Sequence, residues 1–443
     1  MKLLNLKIEG LFNLFNHEIH YNQKERITIL TAPNGYGKTM TLKIIDNLFN
    51  KRFSFFSRLV FDKIIVTLDN NNSINIIKTI TSDTTKIDFI LKDNIQTITA
   101  FEYPSKKLLS EVKKGMPFRQ IEEFLPNFIE RVRSNEFLNI STNETLSLEE
   151  AIYQYSDYIP EHFMKRFNIG IPKEFLYILD ELEVYLIQEQ RLIQRESVSN
   201  HRLRRETVIT DTIEKYSHEL SYKIKQIIEE YAQVTQSLDS SFPKRLFKAR
   251  KTSLNEEELK AKLQSLQEQR QKTSQYGLLK LDEDSFLEEA EISDSDTKVL
   301  SLYIIDSEEK LAVFRSLVDK IELFTKILNE RRFNFKKIKI DKDKGFIFES
   351  ENGSILQLTE LSSGEQHEVV LLFELIFKSS DNSLVLIDEP EISLHIVWQK
   401  EFLNDIKEII KLQNIDIVIA THSPYIIDDS WDLTVNLEAS KSE

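Results

Sequence analysis

The chain holds 443 residues, 41% of them hydrophobic, enough for a substantial core and roughly two to three structural units. Its 58 Lys and Arg stand against 72 Asp and Glu, a net charge of -14. That balance disfavours a protein that coats nucleic acid, although a local basic surface stays open. The absence of cysteine excludes disulfides, zinc–thiolate sites, iron–sulfur clusters and thiol catalysis.

The opening MKLLNLKIEGLFNLFNHEIHY alternates apolar and polar residues and carries Asn, Glu and His early, so it reads as strands and not as a leader segment. No apolar run approaches the roughly 20 residues that span a bilayer. The expectation is a soluble, cytoplasmic protein with no membrane partner. Alternation at Leu3, Leu4, Leu6 and Ile8, then Ile19 and Tyr21, then Ile27, Ile29 and Leu30, predicts three strands, the last buried and ending at Thr31. A helix is expected from about Thr39, with Leu42, Ile44, Ile45 and Leu48 at helical spacing. Residues 58–100 read as further strands, with a hairpin turned at Asn70–Asn72.

From about residue 118 to 330 the composition turns rich in Glu, Gln, Lys and Arg, and a mostly helical stretch is expected. Leu179, Leu186 and Ile193 lie seven apart with Leu182 as companion; Ile213, Leu220, Ile227 and Val234 repeat the step with Ile224, Tyr231 and Leu238. Two heptad seams of this length fit a short antiparallel helical hairpin or bundle, or ordinary amphipathic helices on a globular domain. After residue 331 strands return: KKIKI and GFIFE flank a turn at Asp341–Lys344, and Glu351–Ser354 turns again. From Ser383 onward the order buried strand, helix, buried strand matches a parallel α/β sheet. One α/β domain is therefore split by a large helical insertion.

Four segments carry chemistry. Ala32-Pro33-Asn34-Gly35-Tyr36-Gly37-Lys38-Thr39 follows a buried strand and opens a helix, the context a phosphate-binding loop requires. Gly35 and Gly37 let backbone N–H groups turn toward β- and γ-phosphates, and the helix N-terminus favours the anion. Lys38 would reach the terminal phosphates, and the Thr39 hydroxyl would ligate Mg²⁺. Ala32 replaces the usual first glycine. Leu384–Ile387 form a buried strand with Asp388 and Glu389 at its C-terminal tip, the edge where open α/β sheets bind ligands. Asp388 would hold Mg²⁺ and Glu389 would polarise an attacking water. Leu361-Ser362-Ser363-Gly364-Glu365-Gln366 opens an apolar helix, either an anion site or an ordinary cap. Ile417–Thr421 deliver His422 to the edge that holds Asp388, where its ring could hydrogen-bond the γ-phosphate.

The strings APNGYGKT, LSSGEQ, LIDEP and ATHS, in this order, resemble the ABC-ATPase branch that contains SMC and RecF proteins. EPEISLHIVWQKEF further resembles the AAA-type ATPases of bacterial antiviral modules such as PARIS AriA and Septu PtuA. The likeness covers residues 1–50 and about 335–430. It implies an ABC-type ATPase head, a mixed sheet with a phosphate loop, split by a large helical, partly coiled-coil insertion. The head lobes would be residues 1–105 and 331–443, and the insertion 106–330. It implies ATP and Mg²⁺ as cofactors, with Asn34, Gly35, Tyr36, Gly37, Lys38 and Thr39 cradling the nucleotide. Ser363, Gly364 and Glu365 would close the site on Lys38 of a second copy, in a homodimer or higher homo-oligomer of ATP-sandwiched heads. Glu389 and His422 would be catalytic, and Glu391–His395 would form the D-loop. The strands after residue 58 offer no unique counterpart to the family's Q-loop glutamine.

The long interval between Thr39 and Leu361 disfavours a transporter subunit, and the short stretch after His422 disfavours the nuclease domain of OLD-type enzymes. Basic clusters occur at Arg202, Arg204 and Arg205; at Lys244, Arg245, Lys248, Arg250 and Lys251; and at Arg331, Arg332, Lys336 and Lys337. They are solvated helix faces or DNA contacts. Two functions follow from the resemblance: a regulatory ATPase controlling a separate toxic effector, a nuclease from a neighbouring gene, in antiviral defence; or an SMC/RecF-like DNA-binding ATPase of repair.

Overall fold

The computed structural model describes residues 1–80, 85–94, 96–103, 171–188, 193–199, 205–248, 256–280, 294–392 and 394–440, with short stretches between 125 and 155. In chain order, β1 (Leu3–Leu11), β2 (Phe15–His20) and β3 (Ile27–Thr31) lead to α1 (Lys38–Phe49) and the short α2 (Ser54–Arg58). β4 (Lys63–Leu68), β5 (Ser73–Ile80), β6 (Thr85–Lys92) and β7 (Thr97–Tyr103) follow, then β8 (Ile129–Arg133), β9 (Glu136–Asn139) and β10 (Glu144–Ser147). α3 (Lys173–Asp180), β11 (Val184–Ile187), β12 (Ile193–Ser199) and β13 (Arg205–Asp211) precede three long helices, α4 (Thr212–Lys248), α5 (Glu256–Gln275) and α6 (Asp294–Ile327). A π turn, Leu328–Arg332, ends α6. The remainder is β14 (Lys336–Asp341), β15 (Gly345–Ser350), β16 (Ile355–Leu356), α7 (Ser363–Phe373), β17 (Leu384–Asp388), α8 (Ile396–Gln413), β18 (Asp416–Thr421), α9 (Pro424–Ile427) and β19 (Thr434–Asn436).

Two sheets make the head. The antiparallel sheet runs β2-β1-β4-β5-β6-β7, and the second runs β11-β17-β18-β3-β19. Every pairing in the second sheet is parallel. All five residues of β17 are buried, as expected of a strand covered on both faces. α1 packs over this sheet with Leu42, Ile44, Ile45 and Leu48 fully buried, each side chain contributing roughly 1.5–3 kcal/mol. The hairpin anticipated at Asn70–Asn72 is the β4–β5 turn, with Thr67 opposite Ser73.

The first heptad seam is not a helix. Leu179 lies in α3, Leu186 in β11 and Ile193 in β12, and Leu186 pairs with Leu386 of the central sheet. Val184-Tyr185-Leu186-Ile187 is a β-branched and aromatic run, and the free edge of β17 outweighs a weak helical repeat. The second seam is helical: Ile213, Leu220, Ile224 and Leu238 of α4 are buried. Strands β8 to β13 add to the expected helical stretch 118–330, whose described residues remain mostly helical. The three long helices form a bundle. Tyr231 of α4 meets Phe314 of α6, and Asp239 binds Lys310, so their numbers run in opposite senses. Lys262 binds Glu308 and Lys272 binds Asp319, so α5 runs parallel to α6.

The bundle is seated on the head by the base of α4. Ser217 Oγ donates to the carbonyls of Lys344 (2.6 Å) and Phe346 (2.9 Å), and Ser221 Oγ donates to that of Asp343 (2.9 Å). The β14–β15 turn approaches so closely that a Cβ on Gly345, where φ is +88°, would lie 1.8 Å from the Ser217 carbonyl oxygen. Beside it, Tyr216 stacks on Phe373 at 4.7 Å and donates to Glu374 Oε1 at 2.5 Å. The other end of the insertion returns through Arg332, buried between Glu368 of α7 (2.7 Å) and Asp405 of α8. Arg331 binds Asp405 and Glu408, and Lys336 binds Glu365. The Arg331–Lys337 cluster is therefore largely used in internal ion pairs. In the second cluster Arg245 is tied to Asp306, while Arg202, Arg204, Arg250 and Lys251 lie outside the described residues.

Gly345→Ala is expected to cost at least about 2 kcal/mol, because a left-handed backbone is combined with a backbone clash. Gly353→Ala, also at positive φ but with no atom within 4 Å of the added Cβ, should cost only about 1 kcal/mol. Denaturant unfolding of the two variants checks the difference.

Candidate nucleotide-binding site

The loop between β3 and α1 is shaped by two left-handed glycines, Gly35 at φ +87° and Gly37 at φ +86°. A side chain at Gly37 would also strike Leu11 at 2.8 Å. Ala32 is not among the residues with positive φ, so its replacement of glycine introduces no backbone strain. The loop is braced from the N-terminal hairpin: buried His17 donates from Nε2 to the Tyr36 carbonyl at 2.9 Å, and Phe15 packs on the Tyr36 ring at 5.2 Å. Asn34 and Gly35 remain exposed at its tip.

The parallel strands place the remaining groups. Lys38, 5% exposed, donates to the Ala32 carbonyl at 3.0 Å and stands 3.6 Å from Glu389 Oε1. Its Nζ also meets His422 Nε2 at 2.5 Å, and that nitrogen lies 3.1 Å from Glu389 Oε1. Thr39 Oγ1 donates to Asp388 Oδ1 at 2.9 Å. Glu389 follows the end of β17 at φ +43° and donates its N–H to the Ala420 carbonyl at 2.9 Å. A non-glycine residue in that region stores roughly 1–2 kcal/mol of strain, a feature common where a side chain must be aimed. Lys38, Thr39, Asp388, Glu389 and His422 are thus brought together from the two ends of the chain.

Charge in this cluster is unbalanced. Burial, a hydrogen bond shared with the Glu391 carboxyl and the Glu391 charge push Glu389 up to about 8, with Lys38 pulling the other way. Burial lowers Lys38 against the pull of Glu389, Asp388 and Glu391, and burial together with Lys38 lowers His422. Three carboxyl groups therefore surround a single lysine. The adjacent oxygens of Thr39 and Asp388 fit a hard divalent cation that completes its shell with water and phosphate oxygens, as Mg²⁺ does. Among the described residues there is no group of three or more His, Asp or Glu able to hold a metal.

Ser363, Gly364 and Glu365 stand apart from this cluster in their hydrogen bonds. Ser362 caps α7, and Glu365 Oε2 accepts from Ser362 N (2.9 Å), Ser362 Oγ (2.8 Å) and Lys336 Nζ (3.0 Å). For Glu365 the ordinary capping box is realised within its own chain. Ser363 is exposed at the helix start, and its carbonyl accepts from His367 at 2.8 Å. Of the expected D-loop, Ser393 lies outside the described residues, and His395 caps α8.

Three residues near the site were not legible as functional in the sequence. Glu391 was placed only as the start of a loop, yet its Oε1 accepts three hydrogen bonds from residues 421–423. Gln399 accepts from Ser423 Oγ at 2.6 Å and donates to the Leu394 carbonyl at 3.0 Å. His17 supports the β3–α1 loop from β2. None of them carries a periodic or motif signal; only the second carboxylate of DEPE could have drawn notice.

Comparison with known proteins places this geometry in context. The AAA ATPase domain family model matches residues 1–427. Protein ea59 of Escherichia phage lambda is 32% identical over 114 residues, which is 26% of this chain and 20% of that protein. The aligned part thus spans about a fifth of the relative's length. The SMC head domain from Thermotoga maritima covers 98% of this chain and 94% of its own at 11% identity and a TM-score of 0.32, a likeness that carries no argument. No helix among the described residues is long and apolar enough to cross a membrane. With a match over nearly its whole length, the chain belongs to the AAA ATPase domain family.

Proposed function

We propose that the chain hydrolyses ATP at a site that two copies complete, and that the nucleotide state controls a separate effector through the helical insertion. The observation that carries the hydrolytic reading is the convergence of Lys38, Thr39, Asp388, Glu389 and His422 at one sheet edge, with Lys38 Nζ and His422 Nε2 at 3.6 and 3.1 Å from Glu389 Oε1. The loop amides of residues 34–39 and the start of α1 would hold the β- and γ-phosphates, with Lys38 neutralising them. Thr39 and Asp388 would hold Mg²⁺, which supplies charge neutralisation of the phosphates when bound. Glu389 would orient and deprotonate the attacking water, and His422 would donate to the γ-phosphate. Positioning and electrostatics then carry most of the rate.

Ser363, Gly364 and Glu365 would reach the nucleotide of a second copy, since Glu365 is hydrogen-bonded to Ser362 and Lys336, away from Lys38 of its own chain. In this reading residues 1–105 and 331–443 are the head and 106–330 the insertion, which returns β11 to the head's sheet. Support for antiviral control of a toxic nuclease is the resemblance of EPEISLHIVWQKEF to the ATPases of such modules, and the acidic total suits a protein partner. The internal ion pairs of Arg331, Arg332 and Lys336 leave less basic surface for DNA.

Glu389→Gln is expected to lower kcat for phosphate release by about 10²–10⁴-fold while ATP still binds; turnover near the wild-type rate would remove Glu389 from its role. Lys38→Ala and Ser363→Arg should each be inactive alone, and mixing them should restore turnover by creating one intact composite site. Failure to complement would refute the shared site. Purification of Glu389→Gln with ATP and its genomic neighbours should yield a stoichiometric protein complex, whereas a homodimer retaining DNA would favour the repair-type machine.

A further inference from the structure

The segment after β17 and the segment after β18 are stitched together by one carboxylate. Glu391 Oε1 accepts from Thr421 Oγ1 (2.7 Å), His422 N (2.7 Å) and Ser423 N (3.1 Å), three consecutive residues at the point where β18 gives way to α9. Those bonds define the turn from which the His422 ring projects toward Lys38 and Glu389. The second oxygen, Oε2, is buried, and the carboxyl also faces that of Glu389. Gln399 adds a neutral brace, accepting from Ser423 Oγ and donating to the Leu394 carbonyl.

We infer that Glu391 is a positioning residue for hydrolysis: it fixes the 421–423 turn so that His422 stands at the γ-phosphate end of the site. The inference rests on the ATPase reading above and adds a residue which that reading does not use. Three strong acceptor bonds to one turn allow little independent motion.

The test is a set of variants measured for kcat, for binding of a fluorescent ATP analogue, and for Tm. Glu391→Ala is expected to lower kcat by about 30–100-fold, the scale of a misplacement near 1 Å, with analogue affinity within about threefold of wild type. Glu391→Asp keeps the charge but withdraws the acceptor, so it should show the same kcat loss and serves if the alanine variant does not fold. Glu391→Gln keeps an acceptor oxygen for the turn and should recover turnover to within about fivefold of wild type. Combined with His422→Ala, Glu391→Asp should cost no more than the worse single change, since both act through one ring. Additive losses, a wild-type kcat in Glu391→Asp, or parallel losses of affinity and Tm would overturn the inference. Wild-type turnover in Lys38→Ala and Glu389→Gln would instead overturn the ATPase reading itself.

Discussion

Everything at the candidate site depends on the parallel pairing of β3, β17 and β18. β3 lies far from β17 and β18 in the chain, yet the registers set Asp388 opposite Ala420 and Thr421 opposite Thr31. All three therefore end at one edge, and the segments beyond them must share the same small volume. A parallel sheet leaves its C-terminal edge open for loops and helix starts, which is why ligands gather there in open α/β folds. The burial of β17 on both faces makes that register costly to shift. The positions of Lys38, Glu389 and His422 are consequences of strand pairing before they are consequences of any side-chain contact.

The second constraint is how the insertion meets the head. The base of α4 is held by Ser217 and Ser221 against the β14–β15 turn and by Tyr216 against Phe373 and Glu374. The end of α6 is held through Arg331 and Arg332, which reach α7 and α8. Both attachments fall on α7, the helix that Ser363 and Gly364 open. Buried ion pairs such as Arg332 with Glu368 and Asp405 add little net stability over a well-packed apolar contact. They do fix geometry, because a displaced partner leaves an uncompensated charge in the interior. Two of the joints are π turns, at Leu328–Arg332 and Glu374–Lys378, irregularities often found where a helix has a task beyond support.

Much of this molecule was legible in the residues. Gly35, Gly37, Lys38 and Thr39 between a buried strand and a helix, and Asp388 and Glu389 at a strand tip, describe local chemistry that chain neighbours suffice to specify. The cap at Ser362 and Glu365 is also a local signal, and it formed in the chain itself. Heptad spacing was a poorer guide. Leu179, Leu186 and Ile193 repeat every seven residues, but Leu186 belongs to a strand because β17 offered an unpaired edge. A period read along the chain cannot see a pairing partner two hundred residues away. The basic run at Arg331–Lys337 misled in a similar way, since its partners Glu368, Asp405 and Glu365 come from other elements.

By itself, then, the sequence determined the glycine loop between a strand and a helix, the strand-end carboxylates, the buried parallel strands and the helical character of α4, because each rests on residues within one element of each other. Only the tertiary structure decided that His422 and Lys38 meet, that β11 completes the sheet, that Glu391 clamps the turn carrying His422, and that Arg332 lies buried between two helices. Those outcomes depend on long-range burial and charge pairing. Their free energy is set by which elements meet in space, and no local spacing records it.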